Sequence, residues 1–525
     1  MPDITVSNRR PASPNERSTS NRFVATQSKS VPVAPSAMAV TRRRMSSNAV
    51  DMDDSSGPGL GTPDAPVDLL AMAPFYRNLT GRPAPRRYDR SVLARLDLRG
   101  VPAGDLRSRL PRPDQGGTAP VEAVREILAE VRKRGDEAVR EYTERFDRAV
   151  IDDLRVPVAD LRAALDAIPA ALRDALEVAA GAIQDFHRGQ VRPEGRYQRD
   201  GVVVRELRRA VDRAGVYVPG GRAGYPSTVL MTAVPARVAG VPEVALCVPP
   251  GPDGRVFTPT LAAAALAGVE EVYRIGGAQA VAALAYGTDS LPAVDVIVGP
   301  GNVYVALAKR EVAGEGLVGV PGAFAGPSEV VVVADATVPA EWAAVDVVVQ
   351  AEHGPDGLAW LVTWSEPVAD AVTAAVARIV AASPRRADIE ATLDGGGYVV
   401  LVDGPAQAIE VANAIAPEHL ELMCADAESL LPLVRHAGAV FTGPWAPASV
   451  GDYLAGPSHV LPTFGSARFA GGLSVDDFVR TIHAISLDEA ALASVAPAVA
   501  TLAEAEGLAA HADSVRMRLR PEDRP

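Results

Sequence analysis

Short apolar runs rich in β-branched residues alternate with alanine-rich helical patterns from about residue 91 onward. The runs are RAGVYVP, EVALCVPP, EVYRIGG, VDVIVGPGN, SEVVVVAD, LAWLVTW, GYVVLVD and AVFTG. Most of them end at glycine, proline or a polar residue, as buried strands do. Strands that alternate with helices predict an α/β architecture with largely parallel sheets, in two doubly wound units.

The two ends of the chain have a different pattern. Residues 1–88 are rich in Ser, Pro, Asn and Arg with no stable hydrophobic period, which predicts a disordered leader. Its first 50 residues contain eight Lys or Arg against Asp3 and Glu16. A transit peptide and a start codon assigned too far upstream both explain this leader. From LSVDDFVRTI onward the pattern predicts an almost purely helical appendage.

Composition narrows the classes of partner. A net charge of −13 over 525 residues argues against nucleic-acid binding, which needs clustered basic residues. No apolar run approaches the roughly 18 to 20 residues of a membrane helix, so we expect a cytoplasmic protein without membrane contact. Cys247 and Cys424 are the only cysteines, which excludes a disulfide framework and a thiolate zinc cluster. Both lie in apolar strand patterns, which favours buried, inert thiols.

The segment VVVQAEHGPDG carries polar residues at the end of an apolar helix. The pattern predicts a helix over 341–352 that is apolar on nearly all sides and stopped by Gly354 and Pro355. Asp346, Gln350 and His353 share one stripe of it, at i, i+4 and i+7. Buried polar groups need partners, so this stripe indicates either satisfied core hydrogen bonds or a metal site.

Three other segments contain a carboxylate and a histidine close together. PEHLEL contains Glu418 and His419, which point to opposite sides if the chain is extended there. A Gly/Pro-rich loop contains Asp452 and His459. Near the C-terminus, Glu506 and His511 lie too far around one straight helix to share a site. Gly507 permits a break that would let them converge, whereas the simpler interpretation is an ordinary solvated tail.

Glycine-rich turns suggest where a phosphate-bearing ligand would bind. GEGLVG at 314–319 follows a helical pattern, so we interpret it as a loop without a cofactor. IGGAQAVAALAYG at 275–287 and VGPGN at 298–302 each follow a predicted strand. Such turns allow close approach of a ligand to the backbone, although plain helix packing uses small residues in the same places.

Several of these blocks, in this order, resemble the histidinol dehydrogenase family. They are GVYVPGGRAGYPSTVLM, GGAQAVAALAYGTDSLPAVDVIVGPGN, AGPSEV, QAEHGPDG, PEHLEL, GDYLAGPSHVLPT and EGLAAH. The resemblance extends from about Ser91 to Leu519. It implies a zinc-dependent enzyme that oxidises L-histidinol to L-histidine with NAD, in the last step of histidine biosynthesis. It also implies two Rossmann-like units in an intertwined homodimer, with a C-terminal tail that completes the partner's site.

The resemblance assigns roles to individual residues. Zinc ligands would be Gln350, His353, Asp452 and His511, and the catalytic pair would be Glu418, which activates water, and His419, the general base. Substrate contacts would be Ser328, Glu506, His419 and the four metal ligands. NAD contacts would be Tyr217, Gln279 and Asn302. Ser458 departs from the family, which usually has Asn there, and the Ile-Asp often found upstream of AGPSEV is missing.

The resemblance also suggests domain boundaries. We expect an N-terminal arm over 89–114, a first α/β domain over 115–214 and 330–473, a second, NAD-binding α/β domain over 215–329, and a helical tail over 474–525. Two rival functions stay open: a related zinc-dependent dehydrogenase for another small alcohol, such as a sulfonated diol, and a binding protein without catalysis. A carboxylate at Glu506 favours a cationic amine over a sulfonate, and retention of both Glu418 and His419 favours catalysis.

Overall fold

The computed structural model describes residues 92–111, 120–220, 224–322, 328–352, 354 and 357–520. The predictions for the leader over 1–88 and for His353 lie outside these residues. In the described residues, no helix is long and apolar enough to cross a membrane.

Thirteen strands are found in the described ranges. They are β1 Ala94–Asp97, β2 Gly195–Arg199, β3 Val202–Ala210, β4 Arg213–Tyr217, β5 Glu243–Cys247, β6 Glu271–Tyr273, β7 Val296–Val298, β8 Glu329–Ala334, β9 Leu358–Thr363, β10 Gly397–Leu401, β11 His419–Met423, β12 Ala439–Thr442 and β13 Val479–Ser486. Every residue of β4, β8, β9 and β11 is buried, as expected for central parallel strands.

The helices lie between these strands. In chain order they are α1 Ala103–Arg109, α2 Val121–Arg134, α3 Asp136–Asp147, α4 Val158–Ala167, α5 Ala170–Arg188, α6 Pro226–Val238, α7 Thr258–Leu266, α8 Gly277–Tyr286, α9 Val303–Gly314, α10 Ala340–Ala351, α11 Glu366–Ala382, α12 Arg386–Gly396, α13 Pro405–Ile415, α14 Ala427–Leu430, α15 Ala448–Tyr453, α16 Glu489–Ala505 and α17 Ala509–Met517. Single 3-10 turns cover Leu431–Leu433, Ser466–Arg468 and Val475–Phe478.

Two parallel sheets form the two main layers. The six-stranded sheet has the order β1-β10-β9-β8-β11-β12, and the four-stranded sheet has the order β6-β5-β4-β7. In both sheets all neighbouring strands are parallel. Helices cover both faces of each sheet, and the buried apolar side chains form a separate cluster on each face. The predicted α/β class with two doubly wound units is therefore confirmed, whereas the domain boundaries stay a prediction.

The third sheet corrects the expectation of a purely helical C-terminal appendage. Residues 479–486 form β13, which pairs antiparallel with β3 along eight residues, and β3 pairs in turn with β2. The segment VRTIHAIS contains Val479, Thr481, Ile482 and Ile485, and β-branched residues favour strands. Only the part that follows, α16 and α17, is helical. The two helices pack on each other through Ala500, Ala503 and Ala512.

Candidate active site

The candidate site lies where the chain reverses direction across the six-stranded sheet. From β8 the chain passes to β9 and β10 on one side, and it returns to the other side of β8 as β11. Ser328 directly precedes β8, and Glu418 directly precedes β11. The site is therefore at the amino edge of the strands, whereas ligands in open α/β sheets usually bind at the carboxyl edge.

Glu418 is a buried carboxylate held by two donors. Its Oε2 accepts a hydrogen bond from the backbone N–H of Glu329 at 3.0 Å, and the hydroxyl of Ser328 also bonds to it. Burial raises the pKa of Glu418 to about 7, because removal from water disfavours the charged form more than these bonds favour it. A carboxyl group that titrates near neutrality can both take and give a proton at working pH.

His419 is the first residue of β11 and is buried among polar groups. The Nε2 of Gln350 lies 2.7 Å from its Nδ1, and the Oδ1 of Asp452 lies 3.5 Å from its Nε2. Burial alone would lower the pKa of His419, but the carboxylates of Glu418 and Asp452 outweigh it and raise that pKa. The ring stacks on Phe441, which fixes its plane.

Asp452 reaches this site from α15, which lies close against β12. An added Cβ at Gly451 would lie 2.5 Å from a ring atom of Phe441, so the helix tolerates only glycine there without a shift. The carbonyl of Asp452 lies 3.0 Å from the Nδ1 of His459, and the Nε2 of His459 lies 3.1 Å from the hydroxyl of Thr228. His459 therefore joins the Asp452 segment to α6.

Two of the three residues in the polar stripe predicted on the helix over 341–352 are buried. The helix is α10, and Asp346 and Gln350 both lie inside the protein on it. The Oε1 of Gln350 is buried, and none of the described residues forms a hydrogen bond with it. Amide and carboxylate oxygens are ordinary ligands of divalent metals, so Gln350 and Asp452 fit a metal at this point.

The structure does not bring the whole predicted ligand set together. Glu506 caps the end of α16 and His511 lies in α17, and both side chains are exposed. Gly507 between them has a φ of +74°, so the predicted break of the helix is confirmed. Among the described residues, no group of three His, Cys, Asp or Glu side chains could hold a metal. His353 lies outside the described residues, and Gln350 would contribute an amide oxygen.

The three residues predicted to contact NAD surround the carboxyl edge of the four-stranded sheet. Tyr217 ends β4, Gln279 lies in the first turn of α8 after β6, and Asn302 precedes α9 after β7. The Oη of Tyr217 accepts a hydrogen bond from the N–H of Gly277 at 3.2 Å. The side chain of Asn302 caps α9 by accepting from two backbone N–H groups. The chain reverses between β4 and β7, which is where such sheets bind ligands.

The buried amide of Gln279 supports ligand binding at that edge. Both amide atoms of Gln279 are buried and have no hydrogen-bond partner among the described residues. Gly299 has a φ of +108°, and an added Cβ would lie 2.0 Å from the carbonyl oxygen of Tyr217. Glycine is therefore required at this turn for the chain to pack against the end of β4. GEGLVG begins at the last residue of α9 and is a loop, as predicted.

Sequence reasoning missed two buried ionisable residues. Lys309 on α9 is completely buried, and its Nζ donates a hydrogen bond to the carbonyl of Gly299 in the VGPGN turn. Burial lowers the pKa of Lys309 to about 7. Glu421 lies two residues after His419, and the period of two in a strand was the available signal that both share one face.

The two cysteines are buried and unreactive, and Ser458 forms structural hydrogen bonds. Cys247 and Cys424 are free and buried, and burial raises the pKa of the Cys424 thiol to about 11, so both are poor nucleophiles. The hydroxyl of Ser458 donates to the carbonyl of Met231 at 2.9 Å and accepts from the N–H of Val460. This serine therefore ties its loop to α6, at the position where the family usually has Asn.

The chain is similar to known proteins over most of its length. The family model for histidinol dehydrogenase matches residues 110–519. A histidinol dehydrogenase from Parasynechococcus marenigrum is 51% identical over 75% of this chain and 90% of its own length. One from Gluconobacter oxydans is 48% identical over 76% of this chain and 92% of its own. The crystal structure of the enzyme from Elizabethkingia anophelis superimposes with a TM-score of 0.78, at 32% identity, over 83% of this chain and 100% of that one.

Proposed function

Because the chain belongs to the histidinol dehydrogenase family, we propose that it oxidises L-histidinol to L-histidine at the site formed by Glu418 and His419. The reaction uses two molecules of NAD+ in turn, with L-histidinal as the intermediate. The single observation that carries the proposal is the buried pair itself, a carboxyl with a pKa near 7 beside an imidazole. The cytoplasmic location that the sequence predicts is part of the proposal.

Each of the two residues suits one half of the reaction. The imidazole of His419 lies between the amide of Gln350 at Nδ1 and the carboxylate of Asp452 at Nε2, and it takes the proton of the alcohol as hydride leaves the carbon. The aldehyde must then add water before a second hydride can leave. Glu418, whose Oε2 lies 3.6 Å from the Nδ1 of His419, takes the proton of that water. Because the aldehyde stays bound between the two steps, the second oxidation does not require a new encounter of enzyme and aldehyde.

Substrate preference provides the test of this function. Glu506 and Asp452 are carboxylates that attract the ammonium of histidinol and repel a sulfonate. We expect purified protein to turn over L-histidinol at least about 100-fold more efficiently, in kcat/KM, than a sulfonated diol. NADH formation with each alcohol is the measurement. Efficient oxidation of the diol with none of histidinol would favour the related dehydrogenase, and no oxidation of either would favour the binding protein.

Zinc is the metal that we propose for this site. Gln350 and Asp452 would supply oxygen ligands from the described part of the chain, and His353 and His511 would supply nitrogens. A bound zinc ion would hold the imidazole and amine nitrogens of the substrate in place.

Metal content tests the ligand assignment. Gln350→Ala and His353→Asn should each lose most of the bound zinc, because each removes one of four ligands. Elemental analysis of the purified variants gives the zinc-to-protein ratio. Glu352→Gln, which changes a half-buried carboxylate at the end of the same helix, is the matched control and should keep its zinc. Full zinc content in Gln350→Ala would rule out that ligand.

We also propose a homodimer in which α16 and α17 complete the partner's site. The tail exposes apolar side chains such as Leu502, at 67%, and the surface beside Asp452 exposes Trp445, at 82%. Contiguous exposed apolar surface marks protein interfaces, and we propose that these two surfaces meet across the dimer. His511, whose side chain is exposed within its own chain, then acts in the partner.

Hybrid dimers test this arrangement. Mixed and reassorted His419→Ala and His511→Ala subunits should recover about a quarter of wild-type activity, because half of the dimers are hybrids with one intact site. Activity before and after subunit exchange is the measurement. A mixture of His419→Ala with Glu418→Ala is the control and should stay inactive, since those two residues belong to the same chain. A His511→Ala mixture without recovery would count against action in trans.

A further inference from the structure

Two buried carboxyl groups beside the candidate site have no part in the proposed reaction. Glu421 on β11 is 1% exposed, and Asp346 on α10 is 7% exposed. Burial of ionised carboxylates is costly, so an arrangement of this kind requires partners that stabilise it. Asp346 lies one helical turn before Gln350, and Glu421 lies two residues after His419 in the strand.

The hydrogen bonds of Glu421 require a proton on the pair. Its Oε1 accepts from the backbone N–H of Ala448 at 3.0 Å. Its Oε2 is buried, and no N–H or O–H donor among the described residues reaches it. The carboxyl of Asp346 is its neighbour and bonds to it, which is possible only if one of the two groups is protonated. Burial raises the pKa of both groups, and the nearby Asp346 raises that of Glu421 further, so the two carboxyls share one proton.

The spacing along three elements places this pair directly behind the site. On α10, Asp346 precedes Gln350 by four residues, and on α15, Ala448 precedes Asp452 by four residues. Four helical residues rise by about 6 Å. On β11, Glu421 follows His419 by two residues, a distance of about 6.6 Å. The elements α10, β11 and α15 are therefore in contact at two successive levels along β11. Glu421 joins α10 to α15 in one layer, and His419 lies between Gln350 and Asp452 in the next.

We propose that Glu421, which shares a proton with Asp346 and accepts a hydrogen bond from the N–H of Ala448, is a positioning residue that sets the register of α10 and α15 on β11 and so places Gln350 and Asp452 for the metal. It touches neither substrate nor metal. The inference rests on the proposed zinc site and adds to it the reason why two ligands on separate helices reach the same point. Groups of this kind outside the ligand sphere typically change metal affinity by about 10- to 100-fold.

Two substitutions at one position separate positioning from a direct chemical role. Glu421→Gln keeps an oxygen for the N–H of Ala448 and offers an N–H to Asp346, so zinc affinity and kcat should stay within about twofold of wild type. Glu421→Leu fills a similar volume without those bonds, and its zinc dissociation constant should rise by about 10- to 100-fold. Competition with a chelator gives the dissociation constant. Equal losses in both variants, or wild-type affinity in Glu421→Leu, would overturn the proposal.

A control and a spectroscopic measurement complete the test. Val400→Ala opens a cavity in β10 of the same sheet, away from α10 and α15, and should lower stability without a change in zinc affinity. The infrared difference spectrum between wild type and Glu421→Gln at neutral pH should show a protonated carboxyl band that the variant lacks. This measurement does not depend on metal and applies even if Glu421→Leu does not fold. Absence of the band would overturn the proposal.

The outcomes also distinguish this inference from the proposed function. Wild-type protein that oxidises histidinol and binds zinc, together with an unaffected Glu421→Leu variant, would refute the positioning role alone. Wild-type protein that binds no zinc would refute the metal site, and the positioning role with it.

Discussion

Replacement of His419 by glutamine should lower kcat with L-histidinol by about two to four orders of magnitude, the usual contribution of a general base. Glutamine has a similar size and can still bond to Gln350 and Asp452, but it cannot take a proton from the alcohol. The KM for NAD+ should not change, because the predicted NAD contacts surround the other sheet. Steady-state kinetics with purified protein, together with its zinc content, provide the measurement.

His483→Gln is the matched control for this substitution. His483 is exposed on β13, and its variant should keep wild-type kcat. If His419→Gln kept more than about a tenth of wild-type kcat, His419 would not be the base.

The second large effect is expected for Glu418→Gln. The amide oxygen can still accept from the N–H of Glu329, but the group can no longer take a proton from water. We expect a fall in overall kcat of about two to four orders of magnitude, with the first oxidation largely preserved. Rapid mixing should therefore show a burst of one NADH per site, followed by slow turnover. Glu410→Gln, an exposed substitution on α13, is the control and should behave as wild type.

The pH dependence of this step follows from the same residue. The base form of Glu418 is the ionised one, and its pKa is raised to about 7, so the second oxidation should accelerate as pH rises through that value. In Glu418→Gln this dependence should disappear. If the first and second oxidations slowed equally in Glu418→Gln, this result would contradict the separate roles of Glu418 and His419.

Much of the fold was predictable from local patterns. The strand from Glu329 to Ala334 and the helix over 341–352 were visible because buried parallel strands and buried helices have distinct lengths and ends. The polar stripe of α10 was recognisable for the same reason, as Asp346 and Gln350 interrupt an apolar face. The chain segment 479–486 was misinterpreted, because its strand depends on a distant partner, β3.

The parts of the site that the sequence alone could not predict depend on tertiary position. The order of strands in the six-stranded sheet decides that Ser328 and Glu418 meet at its amino edge. The pair of Glu421 and Asp346 likewise requires α10 and β11 to be neighbours, although 74 residues, 347 to 420, lie between them in the sequence. His511 has no role within its own chain that the helical pattern reveals, and its proposed role requires a second copy.

The yield of NADH per molecule of L-histidinol tests the central claim most directly. Purified protein with limiting L-histidinol and excess NAD+ should form two NADH for each histidinol consumed, with L-histidine as the product, since Glu418 and His419 serve successive oxidations in one site. A yield of one NADH per histidinol, with the aldehyde released, or no NADH at all, would contradict the account.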